Sequence, residues 1–192
     1  MVTGTATDRS RAVITVVALL ALSLFGCTGQ TDDTIMVYGP KPVVRSPGPP
    51  QVHAHWQSCV DEPSTRLDAP DRDGATLPLL TGTFDPVAAV ICSQVSQQRP
   101  DGGTDEVLAE DRVVDVAPLL TALRLPDVGQ GPSPCTLYGI VLPWVALLDT
   151  QGHWVRPGTP DDDCNRPRQE VIAAINQAHG TRIATHVLYA SE

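Results

Sequence analysis

The chain lacks every short motif that would announce a reaction. It has no Gly-x-Ser-x-Gly elbow, no Walker loop, no His-Glu-x-x-His and no dinucleotide fingerprint. EF-hand spacing is missing as well. None of its 5 cysteines lies in a Cys-x-x-Cys pair, so neither a zinc ribbon nor a thioredoxin-type redox centre is indicated. It is also poor in positive charge. Only one lysine, Lys41, occurs among 13 basic residues, against 22 acidic ones, for a net charge of −9. An acidic chain is a poor partner for nucleic acid or for an anionic lipid surface. Nor is there an apolar run long enough to span a bilayer, which takes about 20 residues.

What is present begins with export signals. Arg9 and Arg11 precede an uncharged stretch from Ala12 to Phe25, the pattern of a signal peptide rather than of a membrane span. Leu24-Phe25-Gly26-Cys27 resembles the bacterial lipobox, which implies cleavage before Cys27 and acylation of its sulfur. Phe25 stands where that motif usually has a small residue. Two or more acyl chains would hold the protein stably on a membrane, since each buried methylene contributes about 0.8 kcal/mol. The expected division is a signal peptide over 1–26, a tether over 27–55 and one domain over 56–192. Residues 27–192 carry 11 basic and 21 acidic side chains, about −10 in net charge.

The tether reading rests on composition. Pro40, Pro42, Pro47, Pro49 and Pro50 crowd a stretch with too little apolar surface to offset its ordering entropy. His53 and His55 end it. A His-x-His pair on a strand can ligate a metal, but a third ligand is not identifiable, and a solvated strand start is the simpler reading. No cofactor is expected.

Without Cys27, four cysteines remain, an even number that in an oxidising compartment means two disulfides. Spacing leaves three connectivities open. Cys59 with Cys92 and Cys135 with Cys164 is favoured because Cys135–Cys164 brackets a β-hairpin: an apolar run through Leu148, the turn Asp149-Thr150-Gln151-Gly152, then a short second strand. Each bridge closes a loop of about 30 residues, worth about 3.6 kcal/mol on the chain-entropy model.

Elements follow from punctuation and periodicity. Residues 61–82 read as loop, Val87–Ser93 as a buried strand, and Arg99–Gly103 as a turn into a partner strand over Glu106–Val114. Asp115 and Pro118 open a short helix with Leu119, Leu120 and Leu123 inward. Asn165, Pro167 and Glu170 open a second, buried along Val171, Ile172, Ile175 and Ala178 and ended at Gly180. A last strand covers Arg182–Tyr189. The order β-β-α-β-β-α-β predicts an α+β fold: a mostly antiparallel sheet with two helices on one face and two disulfides.

Candidate chemistry is sparse. Asp161-Asp162-Asp163 offers oxygen ligands, yet three successive side chains do not converge on one ion without an unusual backbone, so a solvated loop is expected. His153 would need a nearby nucleophile to act as a base. His179 reads as a helix C-terminal cation and His186 as a strand surface residue.

Across residues 83–180, the series Ala-Val-Ile-Cys92, Gly102-Gly103, Leu-Leu-Thr-Ala-Leu-Arg124, Cys135, Leu-Leu-Asp149-x-x-Gly-x-Trp154 and Asp-x-Cys164-Asn-x-Pro167 resembles a group of uncharacterised exported proteins of actinomycetes. Arginine in place of lysine and abundant Ala, Pro, Asp and Val fit a GC-rich genome of that kind. Members typically have glycine after the last cysteine; Asn165 here is the residue that best replaces it where φ is positive. The resemblance implies export and fold, and no activity. More loosely, Cys135, Pro143, Val145, Gly152, Trp154 and Cys164 stand in an order similar to the secreted subtilisin-inhibitor family. That implies a preorganised loop presenting Leu137 to a protease. The strand-turn-strand Leu142–Gly152 is similar to thioredoxin-like proteins, without their cysteines. The expected role is a lipid-anchored, extracytoplasmic, non-catalytic binding or structural module. Its partners would be the membrane and an extracellular protein.

Overall fold

A computed structural model describes residues 44–65, 74–129, 131, 135 and 140–190. Cys27 and Leu137 lie outside the described residues. Six strands form one antiparallel sheet: β1 (Val52–His55), β2 (Ala88–Gln98), β3 (Thr104–Val113), β4 (Trp144–Leu148), β5 (His153–Val155) and β6 (Thr181–Ala190), in the spatial order β1-β5-β4-β2-β3-β6. Helices α1 (Ala117–Leu123) and α2 (Gln169–Gln177) complete the α+β fold.

β2 is central because its first half is apolar on both sides. Ala89 and Ile91 point toward the helices with Leu147, Val113 and Val155, where they meet Leu119, Leu123, Val171 and Ile175. Ala88, Val90 and Cys92 point the other way, joining Trp144, Ala146, Leu148, Trp154 and Cys59. The alternation along β2 and β4 is the period-2 pattern of a sheet covered on both faces. Helices cover one face. The segment Trp56–Thr65 covers the other, pinned by the Cys59–Cys92 disulfide with a Cα–Cα distance of 5.8 Å.

The β2–β3 hairpin pairs in unbroken register from Ala89↔Val113 to Gln98↔Thr104. Its five-residue turn is closed by Arg99 N–H to Gly103 O at 2.8 Å and by Asp101 Oδ1 accepting from Gly103 N at 3.0 Å. Gly102 takes φ +87°, which only glycine adopts cheaply. β2 runs five residues past the expected end at Ser93, and those residues are the partly exposed outer half of the hairpin.

Several expectations are corrected. The sheet starts inside the stretch assigned to the tether. Val52–His55 pairs with β5, and before it Arg45 forms ion pairs with Asp127 at 2.6 Å and Asp161 at 2.9 Å. The guanidinium also donates to the carbonyls of Ala75 at 2.6 Å and Thr159 at 2.5 Å. A single side chain with five donors therefore docks a proline-rich segment that has little apolar surface of its own. The Cys135–Cys164 pairing holds, with a Cα–Cα distance of 5.6 Å, but the cysteines do not bracket adjacent strand ends. They join the loop ahead of β4 to the loop ahead of α2, and β4 and β5 share only the pairs Leu147↔Val155 and Leu148↔Trp154.

The helix caps differ too. Val116 is the N-cap of α1 and Arg168 that of α2, neither with a side-chain cap bond, in place of Asp115 and Asn165. Ala122 is buried on α1 where Leu120 was expected, and Leu120 is half-buried. Asn165 instead sits at φ +54°, the left-handed conformation its position after Cys164 suggests. Gly180 lies beyond the end of α2 and is required by close packing: a Cβ there would come within 2.9 Å of Asp111 Cβ.

Candidate functional site

All three tryptophans and three of the five histidines gather at or beside the β1–β5 edge. Trp144 on β4, Trp154 on β5 and Trp56 just after β1 have ring centroids 5.2–5.7 Å apart, with Trp56 edge-on to Trp154. Arg156 lies over Trp144 at 5.2 Å from the ring centre. Edge-to-face and tilted pairs of this kind add about 0.5–1.5 kcal/mol beyond area burial. His53 stacks on Trp154 at 4.2 Å, an interplanar angle of 17°. The ring the sequence offered as a ligand is thus a lid on a tryptophan.

His55 has a different neighbour. The register places it opposite His153, with ring centroids 6.2 Å apart and planes within 13° of parallel. His153 is held from below by the turn. Asp149 Oδ1 accepts from the backbone N–H groups of Gln151 and His153 at 2.8 and 2.9 Å, and Oδ2 lies 2.9 Å from His153 Nδ1. Partial desolvation raises the Asp149 carboxyl, but the His153 ring and the two amides outweigh it and hold it below the usual 3.8. Gly152 closes the turn at φ +82°. Beside this edge lie two open clefts. One, of about 350 Å³, is lined by His55, Trp56, Arg112, Asp149 and Gly152 among others. The other, of about 140 Å³, is lined by His55, Trp56, Ser58, Asp61, Glu62 and Trp154 among others.

A serine, a histidine and a glutamate also meet, which the sequence did not suggest. Glu110 on β3 is 2 % exposed, and its Oε1 accepts from Ser58 Oγ at 2.7 Å and from the Cys59 amide at 2.8 Å. His186 Nε2 on β6 lies 2.9 Å from the same oxygen and 3.3 Å from Ser58 Oγ. In a charge-relay triad the serine and the carboxylate engage opposite ring nitrogens. Here both approach Nε2, and the serine proton goes to the carboxylate. The cluster is a clasp that fastens the covering segment to the sheet. His186 is thereby a bridging residue rather than the surface residue expected.

The acidic triplet resolves residue by residue. Asp161, 5 % exposed, pairs with Arg45. Asp162 organises its own loop, accepting from the amides of Cys164 at 2.8 Å and Arg166 at 3.0 Å and from Arg166 Nε at 2.9 Å. Desolvation raises the Asp162 carboxyl, and these bonds overcome it to hold the group below 3.8. Asp162, Asp163 and Cys164 do lie within 4.8 Å of one another, but the sulfur is spent in a disulfide and cannot be a thiolate ligand. His179 is exposed just past α2.

The sequence offered His53 and His55 as a pair and His153 apart from them. It missed that His55 and His153 face each other, because that pairing depends on register between strands nearly a hundred residues apart. Comparison of the chain with protein families, curated proteins and solved structures finds no match. Among the described residues, no helix is long and apolar enough to cross a membrane.

Proposed function

We propose that this chain is an exported protein, held by acylation of Cys27 at the extracytoplasmic face of the cell membrane. Its folded part acts there as a non-catalytic binding or structural module. The observation that carries the reading is the state of the cysteines: Cys59–Cys92 and Cys135–Cys164 are bridged, which suits an oxidising compartment and leaves Cys27 as the odd one out. An unpaired cysteine behind an apolar leader is where a lipid anchor belongs. The resemblance to exported actinomycete proteins supports the same assignment, and the acidic surface argues against nucleic acid as partner. The partner surface is the exposed His55 and half-buried Trp56 beside the two open clefts, since accessible aromatic side chains are the usual anchors of recognition. Labelling cells with palmitate tests the anchor. The protein is expected to carry label that the Cys27→Ser variant loses, and a soluble, unlabelled wild type would overturn it.

A second reading, a serine-protease inhibitor presenting Leu137, is favoured by one observation: Cys135, two residues earlier, is pinned to Cys164. Titration against subtilisin- and trypsin-like proteases separates the two readings. The module reading expects no inhibition at micromolar concentration.

A further inference from the structure

We infer that His55 and His153 form a cross-strand site for one divalent transition-metal ion, with Asp149 as the carboxylate that orients His153. The site does not depend on the anchor. Three observations converge on it. The β1–β5 register sets the two histidines opposite each other, and their nearly parallel rings have centroids 6.2 Å apart. Two imidazoles on one tetrahedral zinc, with metal–nitrogen bonds of about 2.1 Å, have centroids about 5–5.5 Å apart, so side-chain rotation that draws the rings together by about 1 Å makes the pair a chelate. Next, Asp149 Oδ2 lies 2.9 Å from His153 Nδ1. A carboxylate there fixes the proton on Nδ1 and turns the Nε2 lone pair outward, the arrangement that metal-binding histidines share. Among the described residues Nε2 has no protein partner. Lastly, the surroundings suit a cation. Asp149, Asp61 and Glu62 line the two clefts that His55 borders, and Arg112 is the one arginine among their lining residues.

Gly152 makes room for the arrangement, since a Cβ there would stand 3.3 Å from His55 Nδ1. Imidazole donors select zinc, copper or nickel over calcium and magnesium. With two protein ligands, the remaining coordination positions fall to water or to an external ligand. His53, stacked on Trp154, is not part of the site and serves as the control.

The test is a zinc titration of the full-length protein, followed by calorimetry and by the ring nitrogen resonances of its histidines. One ion per chain is expected to bind at micromolar zinc, moving the resonances of His55 and His153 together and leaving those of His53, His179 and His186 in place. His55→Ala and His153→Ala should each weaken binding by about tenfold or more, and Asp149→Asn by about tenfold, while His53→Ala binds as the wild type does. Unaltered thermal transitions of the variants show that the fold persists. If neither ring responds, if only one does, or if both alanine variants bind zinc as well as the wild type, the inference is wrong.

Discussion

At the scale of single residues, charge and backbone geometry do separable work. Arg45 is held among Asp127, Asp161 and several carbonyls, and Asp127 Oδ1 also accepts from the Asp161 amide at 2.8 Å. Desolvation raises the Asp127 carboxyl, but the Arg45 hydrogen bond, the amide and the arginine's charge together hold it below 3.8. A carboxyl whose folded value is depressed stabilises the fold above its unfolded value and loses that contribution as pH falls through the folded one. Asp127→Asn should therefore lower stability at neutral pH, and the gap from wild type should close below about pH 4 in urea melts taken across the acid range. Asn165 makes a backbone prediction. At φ +54° an alanine costs about 1 kcal/mol in backbone strain, and Asn165→Gly, free of that strain, should lose less stability than Asn165→Ala, as denaturant midpoints will show.

At the scale of elements, the two bridges look alike in sequence and differ in place. Their chain separations, 33 and 29 residues, give nearly the same loop entropy. Cys59 and Cys92 are both buried in the cluster on the face without helices, and Cys59 holds the segment that covers it. Removing both bridge partners by Cys→Ala should cost about 3–4 kcal/mol for Cys135–Cys164 on the chain-entropy model. The Cys59–Cys92 double variant should lose more, because Trp144 and Leu148 then meet water. Calorimetric unfolding of the two variants decides the order. The elements themselves were largely legible. β2 and β3 announced themselves by a β-branched run and a Gly-Gly turn, and both helices by apolar spacing and prolines. β1 was legible only as a solvated strand start at His53 and His55, not as a paired edge strand, because Val-His-Ala-His at a sheet edge buries little. The caps were misplaced because Asp115 and Asn165 have the right chemistry one to three residues too early, and local polarity does not say which residue the backbone will turn on.

At the scale of the whole molecule, a chain with few aromatics builds two apolar clusters on opposite faces of one sheet, then fixes the outer layer of one face with a disulfide, three tryptophans and a buried glutamate clasp. Fold class and the helix-bearing face could be read from the sequence because each depends on local pattern, whereas the bridge pairing, though favoured correctly, rested on strand-end positions that Cys135 and Cys164 do not occupy. The histidine pair and the Ser58–Glu110–His186 clasp could not, because both depend on register between distant strands. In the proposed function this domain is joined to a lipid anchor at Cys27. Its most direct test is a mass measurement, without reduction, on the protein extracted from membranes and on its proteolytic peptides. The account predicts a chain that begins at Cys27, carries diacylglycerol, has no free thiol and yields linked Cys59–Cys92 and Cys135–Cys164 peptides. An unmodified Cys27, or thiols free among the other four, would contradict it.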